Sequence, residues 1–281
     1  MTSIAHLGPR GSYSELAATN YAHWLKTHHD TASTLKAYNT ITKAIQAAAI
    51  GEADAAVVPI ENSIGGSVRD TLDMLWESDT LKIQNNLVIP IHHALLTQAT
   101  SLQTIKTVYS HPQALSQCQK WLATNLPNAI QVATNSTTEA LPRLANNETL
   151  AAISPLWAAK LYNIPTLADP INDNPDNATR FWVLGQSNTQ QGSHTSLAFR
   201  LPNNTPGALL KPLQLFATQG INMSRIESRP TKIALGDYRF FIDIEASLDD
   251  LNTQAALQLL KNCTLSLKIF GSYEQIETPI S

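Results

Sequence analysis

The chain of 281 residues predicts an α/β domain followed by a smaller α+β domain. Three observations carry this expectation. Strand-like and helix-like segments alternate from residue 3 to about residue 185, the habit of sheets whose strands are mostly parallel. Residues 186–194, QSNTQQGSH, contain no large apolar side chain and read as a linker. Beyond them the order changes to strand, helix, two strands, helix, strand.

The elements follow in order. SIAHL (3–7) reads as a strand, and residues 12–29 as a helix opened by the capping-box pattern Ser12 to Glu15. A second helix has Thr40 as N-cap and Gly51 past its end. ADAAVVPI (53–60) is a buried strand, and SVRDTLDMLWES (67–78) repeats apolar residues at helical spacing. LVIPIHHALL (87–96) is one extended apolar run. TIKTVYS (104–110), a helix over 112–124 and AIQVA (129–133) come next. Another capping box, Ser136 to Glu139, predicts a further helix. LAAIS (150–154), the helix PLWAAKLY (155–162) and the strand RFWVLG (180–185) complete the first domain. In the second, TSLAFRL (195–201) places Leu197, Phe199 and Leu201 on one face. A helix over 207–218, strands at 221–228 and 238–246, a helix near 250–261 and a strand at 264–273 give βαββαβ, the ferredoxin-like order. Such a small open sheet has an edge that commonly pairs with a second copy.

Composition narrows the function classes. Hydrophobic residues make up 43% of the chain, enough for substantial cores, and the net charge is −3 with a pI near 6.2. No basic face is advertised, so nucleic acid is not expected as a partner. Cys118 and Cys263 fall in different predicted domains, which speaks against a disulfide framework and for a reducing compartment. The N-terminus lacks a basic segment followed by an apolar one, and no apolar run reaches the length of a membrane span. A cytoplasmic location is the expectation. The histidines show no HExxH or other ligand spacing, and neither a P-loop nor a complete GxGxxG occurs, so neither metal nor organic cofactor is expected.

Four polar clusters sit where strands give way to helices: GPRGSYSE (8–15), PIENSIGGSV (59–68), NSTTEA (135–140) and DNPDNATRF (173–181). Helix N-termini offer free N–H groups to anions, and ligands of α/β sheets collect at strand ends. Taken singly, each has a plainer reading. Ser12, Ser63 and Ser136 read as helix caps, Gly65 and Gly66 as a turn, and Glu61 as an ion-pair partner. Thr179 reads equally as an ordinary strand threonine and Arg180 as a surface cation.

Together with SHPQALSQC (110–118), VVPIENSIGGSV (57–68) and the other clusters resemble, in order and spacing, the prephenate dehydratase family. PGALLKPLQLFATQGINMSRIESRP (206–230) resembles the phenylalanine-binding ACT domain attached to those enzymes. Departures are small: Arg10 replaces a commoner acidic residue, Ser12-Tyr13-Ser14 a commoner Thr-Phe-Thr/Ser, and Thr138 a commoner Ala. The resemblance implies a two-lobed, periplasmic-binding-protein-like catalytic domain over 1–185, a linker over 186–193 and an ACT domain over 194–281. Lobe 1 would span about 1–75 and 169–185, and lobe 2 about 76–168. No chorismate mutase segment precedes Ile4, so fusion to that activity is not expected.

The resemblance further implies a catalytic triplet Thr179, Arg180 and Phe181 in the cleft, with the threonine essential. Ser12, Asn62, Ser63, Ser67, Ser136 and Thr137 would face the substrate. Gly207, Ala208, Leu209, Asn222, Glu227, Ser228, Arg229 and Pro230 would hold the effector L-phenylalanine, and the protein would be a homodimer or homotetramer. Prephenate would lose carbon dioxide and water, with Thr179 donating to the leaving oxygen and Arg180 anchoring a carboxylate. Alternation along a strand, however, sends Arg180 away from its neighbour's side. Arogenate dehydratase, or a non-enzymatic cytosolic amino-acid sensor, remains an alternative at this point.

Overall fold

A computed structural model describes residues 1–278. The chain begins with strand β1 (Thr2–Leu7), helix α1 (Tyr13–His29), β2 (Ser33–Tyr38), α2 (Ile41–Ala49) and β3 (Ala55–Asn62). A two-residue β4 (Gly66–Ser67), α3 (Arg69–Glu77) and β5 (Lys82–Pro90) follow. The predicted caps form. Ser12 Oγ accepts the Glu15 amide at 3.3 Å and Thr40 Oγ1 that of Lys43 at 3.1 Å, each satisfying a donor the helix cannot.

The next elements build a separate five-stranded sheet of order β10-β6-β9-β7-β8. They are β6 (His93–Thr97), β7 (Thr107–Ser110), α4 (Pro112–Gln117), α5 (Gln119–Asn125), β8 (Ile130–Ala133), β9 (Leu150–Pro155), α6 (Leu156–Tyr162) and β10 (Thr166–Ala168). Strand β11 (Ala178–Gly185) then returns to the first sheet, antiparallel to both β3 and β5. Two α/β lobes result, joined by two crossings, near residues 91–92 and through 169–177. The expected lobe boundary at 76 is thereby corrected: β5 belongs to lobe 1, because it pairs with β11.

Three local expectations change. The apolar run 87–96 is two strands in two different sheets. The helix expected over 112–124 breaks at Cys118, where the Asp173 carboxylate caps α5 by accepting the Lys120 and Trp121 amides at 2.9 and 3.1 Å. The Ser136 box makes its hydrogen bond, Glu139 N to Ser136 Oγ at 3.1 Å, but opens turns and a short 3₁₀ segment. Pro142 is the reason: it has no N–H to return to residue 138, and the Leu141 amide takes the Thr138 carbonyl instead, at 3.1 Å.

The C-terminal module has β12 (His194–Arg200), α7 (Leu210–Thr218), β13 (Met223–Pro230), β14 (Tyr238–Ile244), α8 (Leu251–Cys263) and β15 (Ser266–Ile276), the predicted βαββαβ order. It is fused to lobe 1 more closely than a linker suggests. β15 pairs with β12 at one end and runs parallel to β5 at the other, making one sheet of order β13-β14-β12-β15-β5-β11-β3-β1-β2. Ala198, Phe241, Phe270 and Tyr273 share a buried core with Val58, Leu72, Ile83 and Trp182 of lobe 1. Asp73 and Glu77 of α3 pair with Arg229 (2.9 Å) and Arg239 (3.3 Å) of the module. Among the described residues no helix is long and apolar enough to cross a membrane.

Candidate active site

Asn62 and Thr179 are register partners on β3 and β11, at the edge where lobe 1 meets lobe 2. The Asn62 amide Nδ2 donates to Thr179 Oγ1 (3.0 Å), Asn177 Oδ1 (2.8 Å) and the Ala178 carbonyl (3.1 Å). Its Oδ1 accepts from the Ile64 and Gly65 amides at 3.2 and 2.8 Å. Donors on one side and acceptors on the other fix which way the amide points. With Asn62 donating to Thr179 Oγ1, the threonine's own proton is left to donate elsewhere.

Lobe 2 supplies the facing wall. Gln113 and Gln117 lie one turn apart on α4, and both amides reach Asn62 Oδ1 at 3.4 Å. Gln117 Oε1 accepts from Asn177 Nδ2 at 3.1 Å, which fixes it as the oxygen, so His93 Nε2–H donates to it at 2.9 Å. That leaves His93 as the Nε2–H tautomer, with a buried Nδ1 that has no protein partner. Burial holds the His93 pKa below the ordinary imidazole value, against the opposing Gln117 bond, so the ring is neutral at pH 7. Asn62, Thr179, His93, Gln113 and Gln117, with Tyr13, Ile91, His111, Ala114 and Thr137, line a half-open hollow of about 100 Å³. No lysine or arginine is among its lining residues. Larger hollows, of about 390 and 600 Å³, lie against α8 and β15, lined in part by Lys82 and Lys261, remote from this polar network.

The sequence-predicted residues divide. Thr179, Asn62 and Thr137 line the cavity. Ser12 and Ser136 are occupied as caps, and Ser63 Oγ ties the return segment, accepting the Ala178 amide at 3.0 Å. Ser67 sits on β4 opposite Glu61, off the cavity wall. Phe181 is buried against Leu16 and Ala17 of α1 in the core of lobe 1, so it backs the strand and does not reach the cleft. The expectation of Arg180 as a carboxylate anchor is corrected: its guanidinium lies on the opposite face of β11, bound to Glu61 (2.9 Å) and Asp243 (2.8 Å). Tyr13, His93, Gln113, Gln117 and Asn177 were missed as site residues, although the glutamine pair at helical spacing in SHPQALSQC was a usable signal. Among the described residues, no group of three or more His, Cys, Asp or Glu side chains could hold a metal ion.

Residues 4–189 match the family model described as prephenate dehydratase, well over half of the chain. The chain belongs to the prephenate dehydratase family. Residues 195–261 match the ACT domain model. A prephenate dehydratase of Lactococcus lactis subsp. cremoris is 37% identical over 278 residues, covering 96% of both chains. The crystal structure of a prephenate dehydratase from Arthrobacter aurescens in complex with L-Phe is 33% identical, with a TM-score of 0.86 over 99% of this chain and 92% of that one. A further structure, described as GqqA, a novel type of quorum quenching acylase, is 26% identical with a TM-score of 0.83, covering 98% of each chain. In this family member's ACT domain, Gly207 has φ +78 and open space around its Cβ position, at the turn carrying Ala208 and Leu209 into α7. The Asn222 amide is held by Glu245 at 2.9 Å. Glu227 lies beside Arg225 at 3.5 Å, while Ser228 is exposed and Pro230 ends β13. Arg229 departs from the expected ligand role, since Asp73 of α3 already holds its guanidinium.

Proposed function

We propose that the chain is a cytoplasmic carbon–oxygen lyase converting prephenate to phenylpyruvate, carbon dioxide and water. The observation that carries this reading is Thr179: its hydroxyl accepts from Asn62 and keeps a free proton inside a cavity walled by neutral donors. In the reaction the bond from the ring to its carboxylate breaks, the electron pair enters the ring, and the C4–O bond breaks with aromatisation. Thr179 Oγ–H donates a hydrogen bond that strengthens as charge develops on the departing oxygen, which leaves as hydroxide and takes a proton from solvent to become water. A lysine or arginine against the ring carboxylate would stabilise the ground state and slow its loss. Amides of Gln113 and Gln117 bind the substrate without that penalty, an instance of differential binding.

Thr137 completes the donor set in this reading, and Ser12, Ser63, Ser67 and Ser136 shape the walls from behind. L-phenylalanine acts as a feedback effector at the ACT domain, near Gly207, Ala208, Leu209, Asn222, Glu227 and Ser228. The complex of the Arthrobacter enzyme with L-Phe supports L-phenylalanine as the effector. Homo-oligomerisation, as a dimer or tetramer, is supported by the open edge of β13 and by exposed Ile226, Leu210 and Leu259 on the same module. The arogenate reaction differs only in an amino for a keto group on the side chain. Turnover of prephenate and of arogenate, followed by phenylpyruvate and phenylalanine formation with and without added L-phenylalanine, tests the assignment. Turnover of neither compound refutes it. Acylase activity in the same preparation would instead favour an acylase reading, and binding of amino acids with no turnover a sensor.

A further inference from the structure

One position beyond Thr179 and Asn62, Arg180 and Glu61 are also register partners and face the other side of the sheet. There Arg180 meets the ACT domain. Its Nη2 donates to Glu61 Oε2 at 2.9 Å and to Asp243 Oδ2 at 2.8 Å. Asp243, on β14, is wholly buried. Arg225 of β13 grips the same carboxylate through Nε at 2.8 Å and Nη2 at 3.3 Å. Ser196 of β12 donates to Asp243 Oδ1 at 2.6 Å and is itself within 2.7 Å of the Tyr273 hydroxyl. Buried Trp182, two residues after Arg180, has both guanidinium carbons over its ring, at 5.9 and 5.5 Å. One charged cluster therefore joins the strands carrying Thr179 and Asn62 to the strand carrying Glu227 and Ser228.

We propose that Arg180 is a positioning residue that sets the placement of Thr179 and Asn62 through Glu61 and transmits the state of the ACT domain to them through Asp243. This rests on the dehydratase and phenylalanine reading above. A buried carboxylate between two guanidinium groups resists separation, because moving one partner strands a charge away from water. A displacement of β13 and β14 must therefore carry Arg180 with it. Arg180 in turn cannot follow without its backbone, and Thr179 is the adjacent residue. The pairing of β11 with β3 changes register between Arg180 and Phe181, so the ladder is already broken where the pull would be felt. An effector that favours one placement of β13 then shifts the population in which Thr179 faces the substrate.

The test compares wild type with Glu61→Gln, Asp243→Asn and Arg180→Lys in full-length protein. It reads kcat, KM for prephenate, the extent of inhibition at saturating L-phenylalanine, and L-phenylalanine affinity by calorimetry. The expected result for Glu61→Gln and Asp243→Asn is a lowered kcat with KM nearly unchanged. Inhibition at saturation weakens about fivefold or more in both, while effector affinity stays within about threefold of wild type. Glu61→Gln keeps side-chain volume at a site 37% exposed, so a folded variant remains available even where Asp243→Asn fails to fold. Wild-type inhibition in both variants, with only thermal stability lowered, overturns the proposal. So does an Arg180→Lys variant whose KM rises while inhibition is intact, since that is the behaviour of a substrate ligand. A wild-type protein without turnover, or without bound L-phenylalanine, instead refutes the functional reading, and the proposal falls with it. The wild-type arm alone thus separates the two failures.

Discussion

Gly65 of lobe 1 lies so close to Gln113 of lobe 2 that a methyl group at Gly65 would stand 2.5 Å from the Gln113 amide nitrogen. The approach puts the 62–66 turn against α4 and lets both glutamine amides reach Asn62. The hollow of about 100 Å³ is smaller than a ten-carbon diacid requires. A change in the spacing of the two lobes would widen it for substrate. Gly65→Ala is expected to turn the Gln113 amide, the free end of a flexible side chain, away from Asn62. We expect kcat/KM to fall by about threefold to tenfold, the loss of one neutral hydrogen bond of about 1 kcal/mol, with little change in melting temperature. Adding Gly65→Ala to Gln113→Ala should cost nothing further, which would locate the clash at Gln113; equal kcat/KM in wild type and Gly65→Ala would refute it.

Thr179→Ala removes the donor whose proton Asn62 leaves free. Turnover should drop by about 10²–10³ while the fold, read by circular dichroism, is unchanged. Thr179→Ser keeps the hydroxyl and should retain more activity. Asn62→Ala should lower kcat as well, since Thr179 then loses the donor that orients it. A folded Thr179→Ala variant turning over at the wild-type rate would remove Thr179 from the chemistry.

How far these features were legible depends on the range of the interaction that creates them. Thr179 and Asn62 stand at strand ends beside polar turns, a local pattern, and could be singled out from the residues. Strand alternation also foretold that Arg180 turns its back on Thr179. Its partner Asp243 is 63 positions away, and no local signal links them. The same holds for β5, whose lobe is decided by pairing with β11 and β15. Tyr13 reads locally as the first residue of a capped helix, yet the fold aims its hydroxyl at the His92 carbonyl across the lobe junction, at 2.7 Å. The capping box at Ser136 was a correct local reading that Pro142 then diverted. Caps and strand alternation were legible at short range; the break at Cys118, the split of residues 87–96 and the contacts between lobes and modules depend on distant partners.

Acid should destabilise the protein before its carboxylates titrate. Burial is the main cause that lowers the pKa of His6, His93 and His111 below 6.5. Each accepts a proton more readily in the unfolded chain than in the folded one. The stability they contribute is present above the unfolded value and is lost as pH falls from about 6.5 toward the folded values. Asp73 and Asp243, whose pKa values are lowered because arginine and lysine partners outweigh burial, lose their contribution only below the ordinary carboxylate value of 3.8. Thermal unfolding from pH 8 to 5 should show a falling midpoint in wild type and a shallower fall in His93→Gln. A flat midpoint over that range would contradict the assignment of neutral, buried imidazoles.

The Asp243 cluster predicts a graded stability series. Asp243→Ala leaves Arg180 and Arg225 buried with their shared counter-charge gone, the case in which one broken buried pair costs about 3–5 kcal/mol. Glu61 is partly solvated, and Arg180 keeps Asp243 when Glu61 is changed, so Glu61→Gln should cost about 1 kcal/mol or less. Lys26→Ala, which removes a fully surface pair with Asp30, should be silent by comparison. The loss in Asp243→Ala should also be felt across both units, because Asp243 holds Arg225 over the Trp182 ring and reaches Tyr273 through Ser196, and both rings belong to the core that the ACT domain shares with lobe 1. Denaturant unfolding of the three variants provides the measurement. Asp243→Ala should lower the midpoint most and still unfold lobe 1 and the ACT domain together. An Asp243→Ala midpoint equal to that of Lys26→Ala would mean that the cluster holds nothing in place.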